Sequence, residues 1–136
     1  MPTNTAGTAA REYVTHQVHY LSKDFTFANQ TAVSLGFVPA GATVIRCGVV
    51  VSTLFDAGTN DFVDIGTIAD PDGLAADLNV ATAGVKIDTT IATSDDVGPY
   101  AVDTEIIATY GPTGTAPTAG VGRAWVEYIL NDDLTL

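Results

Sequence analysis

Few residues in this sequence have the type and spacing that metal binding needs. Its most acidic loop contains Asp70, Asp72 and Asp77, whose carboxylates are hard oxygen ligands of the kind that Ca²⁺ prefers. The run Asp70-Pro-Asp-Gly73 nevertheless lacks the spaced acidic residues and the terminal glutamate of an EF-hand loop, and Pro-Asp-Gly is an ordinary turn sequence. We therefore predict no metal site and no cofactor, and keep the three aspartates as candidate calcium ligands.

The positions of the two histidines and the single cysteine also do not favour a metal site or a catalytic nucleophile. His16 and His19 are three residues apart, so on a strand they point to opposite faces and cannot share one ion. Cys47, the single cysteine, alternates with apolar residues, which favours a small buried side chain over a nucleophile. No nucleophile elbow or other local catalytic signature is present, so we predict no catalytic residues and no enzyme activity.

The charge balance excludes further classes of function. Asp and Glu number 16 against 5 Lys and Arg, for a formal net charge of −11. The few basic residues are scattered along the chain, whereas a nucleic-acid backbone requires them in clusters, so we predict no nucleic-acid partner. No apolar stretch approaches the roughly 18 to 20 residues of a spanning helix, and residues 1–10 do not resemble a signal peptide. We predict no membrane association and synthesis in a cytoplasm.

The elements that would position these side chains are short β-strands. About seven apolar runs alternate with Gly, Pro, Asp and Thr clusters, and no stretch has the pattern of an ordinary helix. This predicts an all-β fold, an antiparallel β-sandwich or jelly-roll-like single domain, over residues 11–136. Residues 1–10 are small, polar and aperiodic, and they predict a flexible N-terminal arm.

The longest apolar run predicts the strand at the centre of the fold. Residues 43–55 should form a central strand, with residues 61–65 as its hairpin partner across a glycine-containing loop. Strict alternation places Ile45, Cys47 and Val49 on a core face. The opposite face then carries Val44, Val50 and Leu54, an apolar stripe that would be exposed to solvent in a monomer. Trp125, on the last strand, shares a face with charged residues. We therefore predict Val44, Val50, Leu54 and Trp125 as residues of an interface with another subunit or another protein.

Several motifs carry a resemblance to a known family. They are the runs Phe37-Val-Pro-Ala-Gly-Ala-Thr-Val-Ile45, Val50-Val-Ser-Thr-Leu-Phe-Asp-Ala-Gly-Thr59, Val63-Asp-Ile-Gly66, Asp70-Pro-Asp-Gly73 and Gly114-Thr-Ala-Pro-Thr-Ala-Gly120, followed by Val126-Glu-Tyr128. In this order they resemble small structural proteins of tailed bacteriophages, over roughly residues 37–129. The proteins compared are capsid decoration (cement) proteins, which are often trimers, and small head or tail accessory proteins.

The resemblance implies a β-sandwich on the capsid exterior of the virion. Its implied work is that of a decoration protein, which binds the major capsid protein, bridges neighbouring subunits and stabilises the head shell. The implied self-association is a homo-oligomer, a trimer by comparison with the family. The alternative is a head-fibre or tail accessory protein that binds host carbohydrate, which would need a cluster of exposed aromatic side chains.

Overall fold

The computed structural model of the chain describes residues 18–91 and 96–130. The predicted arm, residues 1–10, and His16 lie outside the described residues. The described chain contains eight strands. They are β1 (His19–Thr26), β2 (Val33–Val38), β3 (Thr43–Thr53), β4 (Asn60–Thr67), β5 (Ala75–Asn79), β6 (Gly84–Ile87), β7 (Thr104–Thr113) and β8 (Val121–Ile129). No helix in this part of the chain is long and apolar enough to cross a lipid bilayer.

The strands form two antiparallel sheets that pack face to face. Sheet I has the order β1-β8-β3-β6, and sheet II has the order β2-β7-β4-β5. Alternate side chains from the two inner faces fill the space between the sheets, as in other sandwiches. The largest fully buried side chains there include Phe55, Ile65, Leu74 and Ile106. The predicted all-β antiparallel sandwich is confirmed.

The predicted hairpin of residues 43–65 is wrong. β3 pairs with β8 and β6 in sheet I, whereas β4 pairs with β7 and β5 in sheet II. Past β3 the chain crosses between the sheets, and Phe55 fills the core there with 1 % of its surface exposed. The Asp56 carboxylate accepts hydrogen bonds from the backbone N–H groups of Thr118 (2.7 Å) and Ala119 (2.9 Å). The β3–β4 loop is therefore held by the β7–β8 loop, which crosses beside it.

A β-bulge overturns the predicted alternation at the start of β3. Val44 pairs with Tyr128 while Arg46 pairs with Glu127, so Ile45 is an extra residue in β3. A bulge residue shifts the pleat by one position. As a result Val44 points into the core with 2 % exposure, and Ile45 points outward with 37 % exposure. The prediction of Val44 as an interface residue is wrong for this reason.

Candidate interaction surfaces

The outer face of sheet I carries a cluster of exposed apolar side chains, which we call surface I. Its centre is Trp125 on β8. Gly48 of β3 pairs with both Trp125 and Ile87, and Val50 pairs with Arg123 and Val85, so these side chains share one face. The exposed apolar residues of surface I are Tyr20, Val50, Val85, Ile87 and Val121. Part of this surface is a shallow groove of about 430 Å³ between Tyr20 and Val50.

Trp125 forms the floor of surface I because Gly48 leaves room for it. A Cβ added at Gly48 would lie 2.9 Å from Cζ2 of the indole and 2.2 Å from the backbone oxygen of Lys86. The indole can therefore lie across β3, where it is only 8 % exposed although it faces outward. The close approach needs a residue without a side chain at position 48.

Replacing Gly48 by Ala is expected to displace the Trp125 indole. Because Trp125 is the single tryptophan, its fluorescence reports this change directly. We expect an emission maximum at longer wavelength and a loss of roughly 1–3 kcal/mol of unfolding free energy, the usual cost of overpacking. The exposed Gly111, where an added Cβ meets no atom within 4 Å, supplies the matched control Gly111→Ala. An unchanged spectrum of Gly48→Ala would contradict the described packing.

Two ion pairs frame surface I. The Arg123 guanidinium contacts the Asp24 carboxylate at 2.6 Å, and Arg46 contacts Glu127 at 2.7 Å. The hydrogen bond from Arg123 lowers the pKa of Asp24, and the hydrogen bond to Glu127 raises the pKa of Arg46. Exposed pairs of this kind add little to stability. Because each of these arginines is paired with one carboxylate, the positive and negative charges on the outer face of surface I balance.

A second apolar cluster, surface II, lies where β2 and β4 end and β7 begins. Phe37, Ile68 and Val102 are 60 %, 65 % and 67 % exposed, respectively. Together with Asp103 and Glu105 they line a groove of about 350 Å³. Asp103 also accepts a hydrogen bond from the backbone N–H of Ala40 at 2.9 Å, which fixes its position in the rim. Surface II thus combines large apolar side chains with carboxylates.

Charge is segregated between the two sheets. Every lysine and arginine of residues 18–91 and 96–130 lies in a strand of sheet I: Lys23, Arg46, Lys86 and Arg123. In the same part of the chain, the Asp and Glu residues other than Asp24 and Glu127 lie outside the strands of sheet I. The strands of sheet I therefore hold four basic residues against two acidic ones, and sheet II and the loops carry the other carboxylates of the described chain.

The structure brings some of the predicted interface residues together. Val50 and Trp125 both belong to surface I, and Leu54 lies one residue past β3 with 48 % of its surface exposed. Val44 is in the core. Surface II and the outward position of Val85 and Ile87 were missed by sequence reasoning, because alternating apolar residues on a short strand predict burial rather than exposure.

The candidate calcium ligands do not form a metal centre in the described chain. Within residues 18–91 and 96–130, no three His, Cys, Asp or Glu side chains are grouped so as to hold a metal ion. The carbonyl of Asp70 accepts hydrogen bonds from the N–H groups of Thr67 and Gly73, as in a turn. Asp77 lies on β5, where its N–H donates to the Asp64 carboxylate at 2.8 Å. Burial, together with the nearby Asp77 and Asp72, raises the pKa of Asp64.

The side chains considered for nucleophilic, metal-binding or carbohydrate-binding chemistry are buried or packed against other side chains. Cys47 is a free thiol with no exposed surface, and burial raises its pKa to about 12, so it is a poor nucleophile. The predicted buried cysteine is confirmed. The His19 ring stacks on Tyr128 with ring centroids 5.3 Å apart. Of the aromatic residues a carbohydrate platform would need, Tyr110 and Trp125 are 2 % and 8 % exposed.

Comparison with solved structures finds the same fold in phage capsids. One chain of the cyanophage Pam1 capsid asymmetric unit superposes with a TM-score of 0.62 at 18% identity, covering 96% of this chain and 99% of that one. A chain of the acidic stable capsid structure of Helicobacter pylori bacteriophage KHP30 superposes with a TM-score of 0.61 at 17% identity, covering 87% and 91%, respectively. No family model and no curated protein sequence matches the chain. The resemblance to phage structural proteins is confirmed for the fold.

Proposed function

We propose that this chain is a structural protein of a tailed-bacteriophage virion, a decoration protein on the outside of the head. It binds the major capsid protein, bridges neighbouring capsid subunits and stabilises the shell against internal pressure. The observation that carries the proposal is the fold shared with chains of two phage capsid structures over nearly the full length of both partners.

The surfaces of the sandwich support a binding role rather than a catalytic one. Two apolar clusters are exposed on the described chain, one on each sheet, and contiguous exposed apolar surface usually marks an interface. The acidic exterior keeps a protein that is present in many copies soluble and unattractive to DNA. We propose no catalytic role and no cofactor for this chain.

The proposed assembly is a homotrimer. A closed ring buries interface surface on every copy without propagating into fibres, and a three-fold ring matches the local symmetry of an icosahedral shell. The same geometry gives each oligomer several equivalent contacts with capsid subunits, so that weak single contacts add up to firm attachment.

Electron microscopy of the source particle tests the location. We expect density for this sandwich over the whole head shell at high copy number. Density at a single vertex, on a fibre or on the tail would reject decoration and favour the accessory-protein alternative. Purified protein added to heads lacking it should also bind until saturation, and failure to bind at any ratio would reject the proposal.

The N-terminal residues 1–10 are proposed to order on the capsid. Deleting them is expected to weaken attachment to heads by about tenfold or more, because an arm that orders on docking adds contacts along the shell. The isolated oligomer should keep its mass. A matched control replaces the deleted residues with a Gly/Ser segment of equal length, and it should bind as weakly as the deletion. Full binding by either variant would exclude a role for the arm.

A further inference from the structure

We propose that surface II is the face that binds the head shell, and that its partner is a segment of the major capsid protein in which lysine or arginine side chains flank apolar ones. The inference rests on the proposed function, because the shell is the partner proposed there. It adds which surface of the sandwich makes the contact and the chemistry of the capsid surface that receives it.

The first argument is the composition of surface II. Phe37, Ile68 and Val102 are all more than half exposed, and they line the same groove. Phe37 on β2 lies directly opposite Glu105 on β7, so an aromatic ring and a carboxylate are neighbours on one face. Exposed apolar side chains with polar groups beside them are the usual composition of a protein interface. The partner must therefore supply apolar side chains together with groups that suit carboxylates.

The second argument is the charge of surface II. Within residues 18–91 and 96–130, neither Asp103 nor Glu105 forms an ion pair with a lysine or arginine. Asp103 accepts a hydrogen bond from the backbone N–H of Ala40, which carries no charge to balance its own. In a molecule with a net charge of −11, these carboxylates favour a partner with basic side chains at the rim of the contact.

The arginines of a second copy do not suit these carboxylates. On the outer face of sheet I, Arg46 is already paired with Glu127, and Arg123 is already paired with Asp24. Docking surface II there would bring its carboxylates toward pairs whose charges balance. A contact between two copies of surface II would place carboxylates against carboxylates, which repel each other.

The lysines of a second copy are also poorly placed. Lys23 and Lys86 lie opposite Ala124 and Val49, which are buried in the core, so both lysines point to the inner side at the two edges of sheet I. The Lys86 amine donates there to the hydroxyl of Thr82 at 2.6 Å. Neither the arginines nor the lysines of the described chain therefore suit surface II, and we assign its basic partner residues to another protein.

Two substitutions at position 102 test the sign of the partner's charge. Val102 is exposed and lies two residues before β7, so Glu or Lys can replace it without entering the core. Both variants lose the same apolar side chain, and they differ in the charge that they present to the shell. In co-sedimentation with heads that lack this protein, Val102→Lys should weaken binding by about tenfold or more, and Val102→Glu should weaken it less. Equal losses, or the reverse order, would overturn the inference.

The matched controls are Ala28→Glu and Ala28→Lys, in the exposed turn after β1. They change the net charge by the same amounts at the opposite end of sheet II from surface II, and both should bind heads as the wild-type protein does. Because Trp125 is the single tryptophan, an unchanged emission spectrum shows that each variant is folded. If the Ala28 variants differed from each other as much as the Val102 variants do, net charge rather than surface II would determine binding, and the inference would be wrong.

Ionic strength tests the charge of the contact in a second way. Binding of the wild-type protein to heads should weaken as salt rises from about 0.05 M to about 0.5 M, because salt screens exposed charges. Glu105→Gln should bind more weakly than wild type at low salt and should depend less on salt. Asp77→Asn removes one exposed carboxylate from β5, at the other edge of sheet II, and should keep the wild-type salt dependence. Wild-type binding that did not change with salt would contradict a basic partner.

The remaining outcomes separate this inference from the proposed function. If wild type and Val102→Lys bound heads equally well, the decoration role would stand and binding through surface II would be wrong. If Val102→Lys dissociated the oligomer in sedimentation velocity, surface II would be a contact between copies, and the inference would again be wrong. If Val85→Lys on surface I abolished binding and left the oligomer intact, surface I would be the capsid contact instead. A wild-type protein that bound no heads at any ratio would overturn the proposed function, and the inference with it.

Discussion

Replacing Cys47 by Asp is expected to remove about 3–5 kcal/mol of unfolding free energy, the usual cost of an uncompensated buried charge. Cys47 has no exposed surface and lies between the sheets in the middle of β3. The raised pKa of its thiol, about 12, is caused first by burial and then by the nearby Asp88, and both would also oppose an aspartate. Urea unfolding followed by tryptophan fluorescence measures the loss.

The control for this prediction is Cys47→Asn, which has a similar size and polarity but no charge. Burial raises the pKa of the introduced Asp, so the folded state holds its proton more tightly than the unfolded state does. Stability is then retained at low pH and lost as pH rises through the folded pKa. The difference between Cys47→Asp and Cys47→Asn should therefore be smaller at pH 5 than at pH 8. A gap that did not change with pH would show that size, rather than charge, determines the loss.

The fold class was predictable because it depends on local patterns. Alternating apolar residues and turn clusters recur along the chain, and each strand needs only its own residues to show a period of two. Strand pairing is not local. Gly48 pairs with Trp125, far along the chain, while the nearer β4 belongs to the other sheet. A loop that crosses between sheets and a hairpin loop use the same turn residues, so the sequence around Gly58 predicts either equally well.

The bulge at Ile45 is a second feature that could not be predicted from the sequence. Val44 and Ile45 are both apolar and β-branched, so exchanging their faces leaves the hydrophobic pattern almost unchanged. The register difference is visible only against Tyr128 and Glu127 on β8. For the same reason only part of the predicted stripe faces outward: Val50 lies on the outer face of sheet I, whereas Val44 lies in the core.

Surface II could not be predicted because its members come from separate segments. Phe37 is the next-to-last residue of β2, Ile68 follows β4 and Val102 lies two residues before β7, and each alone is an unremarkable apolar residue near a turn. Topology brings the three segments to one end of sheet II. Charge segregation is likewise hidden in the sequence, since the basic residues are scattered along the chain and gather only when β1, β3, β6 and β8 form one sheet.

The second large expected effect concerns the buried pair of Asp61 and Tyr110. The Tyr110 hydroxyl donates to Oδ1 of Asp61 at 2.5 Å, and the backbone N–H of Ala57 donates to the same oxygen at 3.1 Å. The two side chains are 4 % and 2 % exposed, and the Tyr110 ring packs on Phe55 with centroids 4.7 Å apart. Because Phe keeps the ring packing, Tyr110→Phe removes only the hydroxyl, and we expect a loss of roughly 1–3 kcal/mol from the poorly satisfied carboxylate left behind.

Two further measurements separate the hydrogen bond from general disruption. Burial and the bond to Asp61 raise the pKa of Tyr110, so the stability that this group contributes is complete below its unfolded pKa of about 10 and is lost as pH rises further. Above pH 10 the wild-type protein should therefore lose stability more steeply than Tyr110→Phe. Tyr20→Phe, at a position 54 % exposed, is the control and should change stability by less than about 0.5 kcal/mol.

In a double-mutant cycle, Asp61→Ala should make Tyr110→Phe nearly neutral, because the carboxylate that needs the hydroxyl is then absent. If Tyr110→Phe alone cost nothing, or cost as much without Asp61 as with it, the bond would not stabilise the fold as argued.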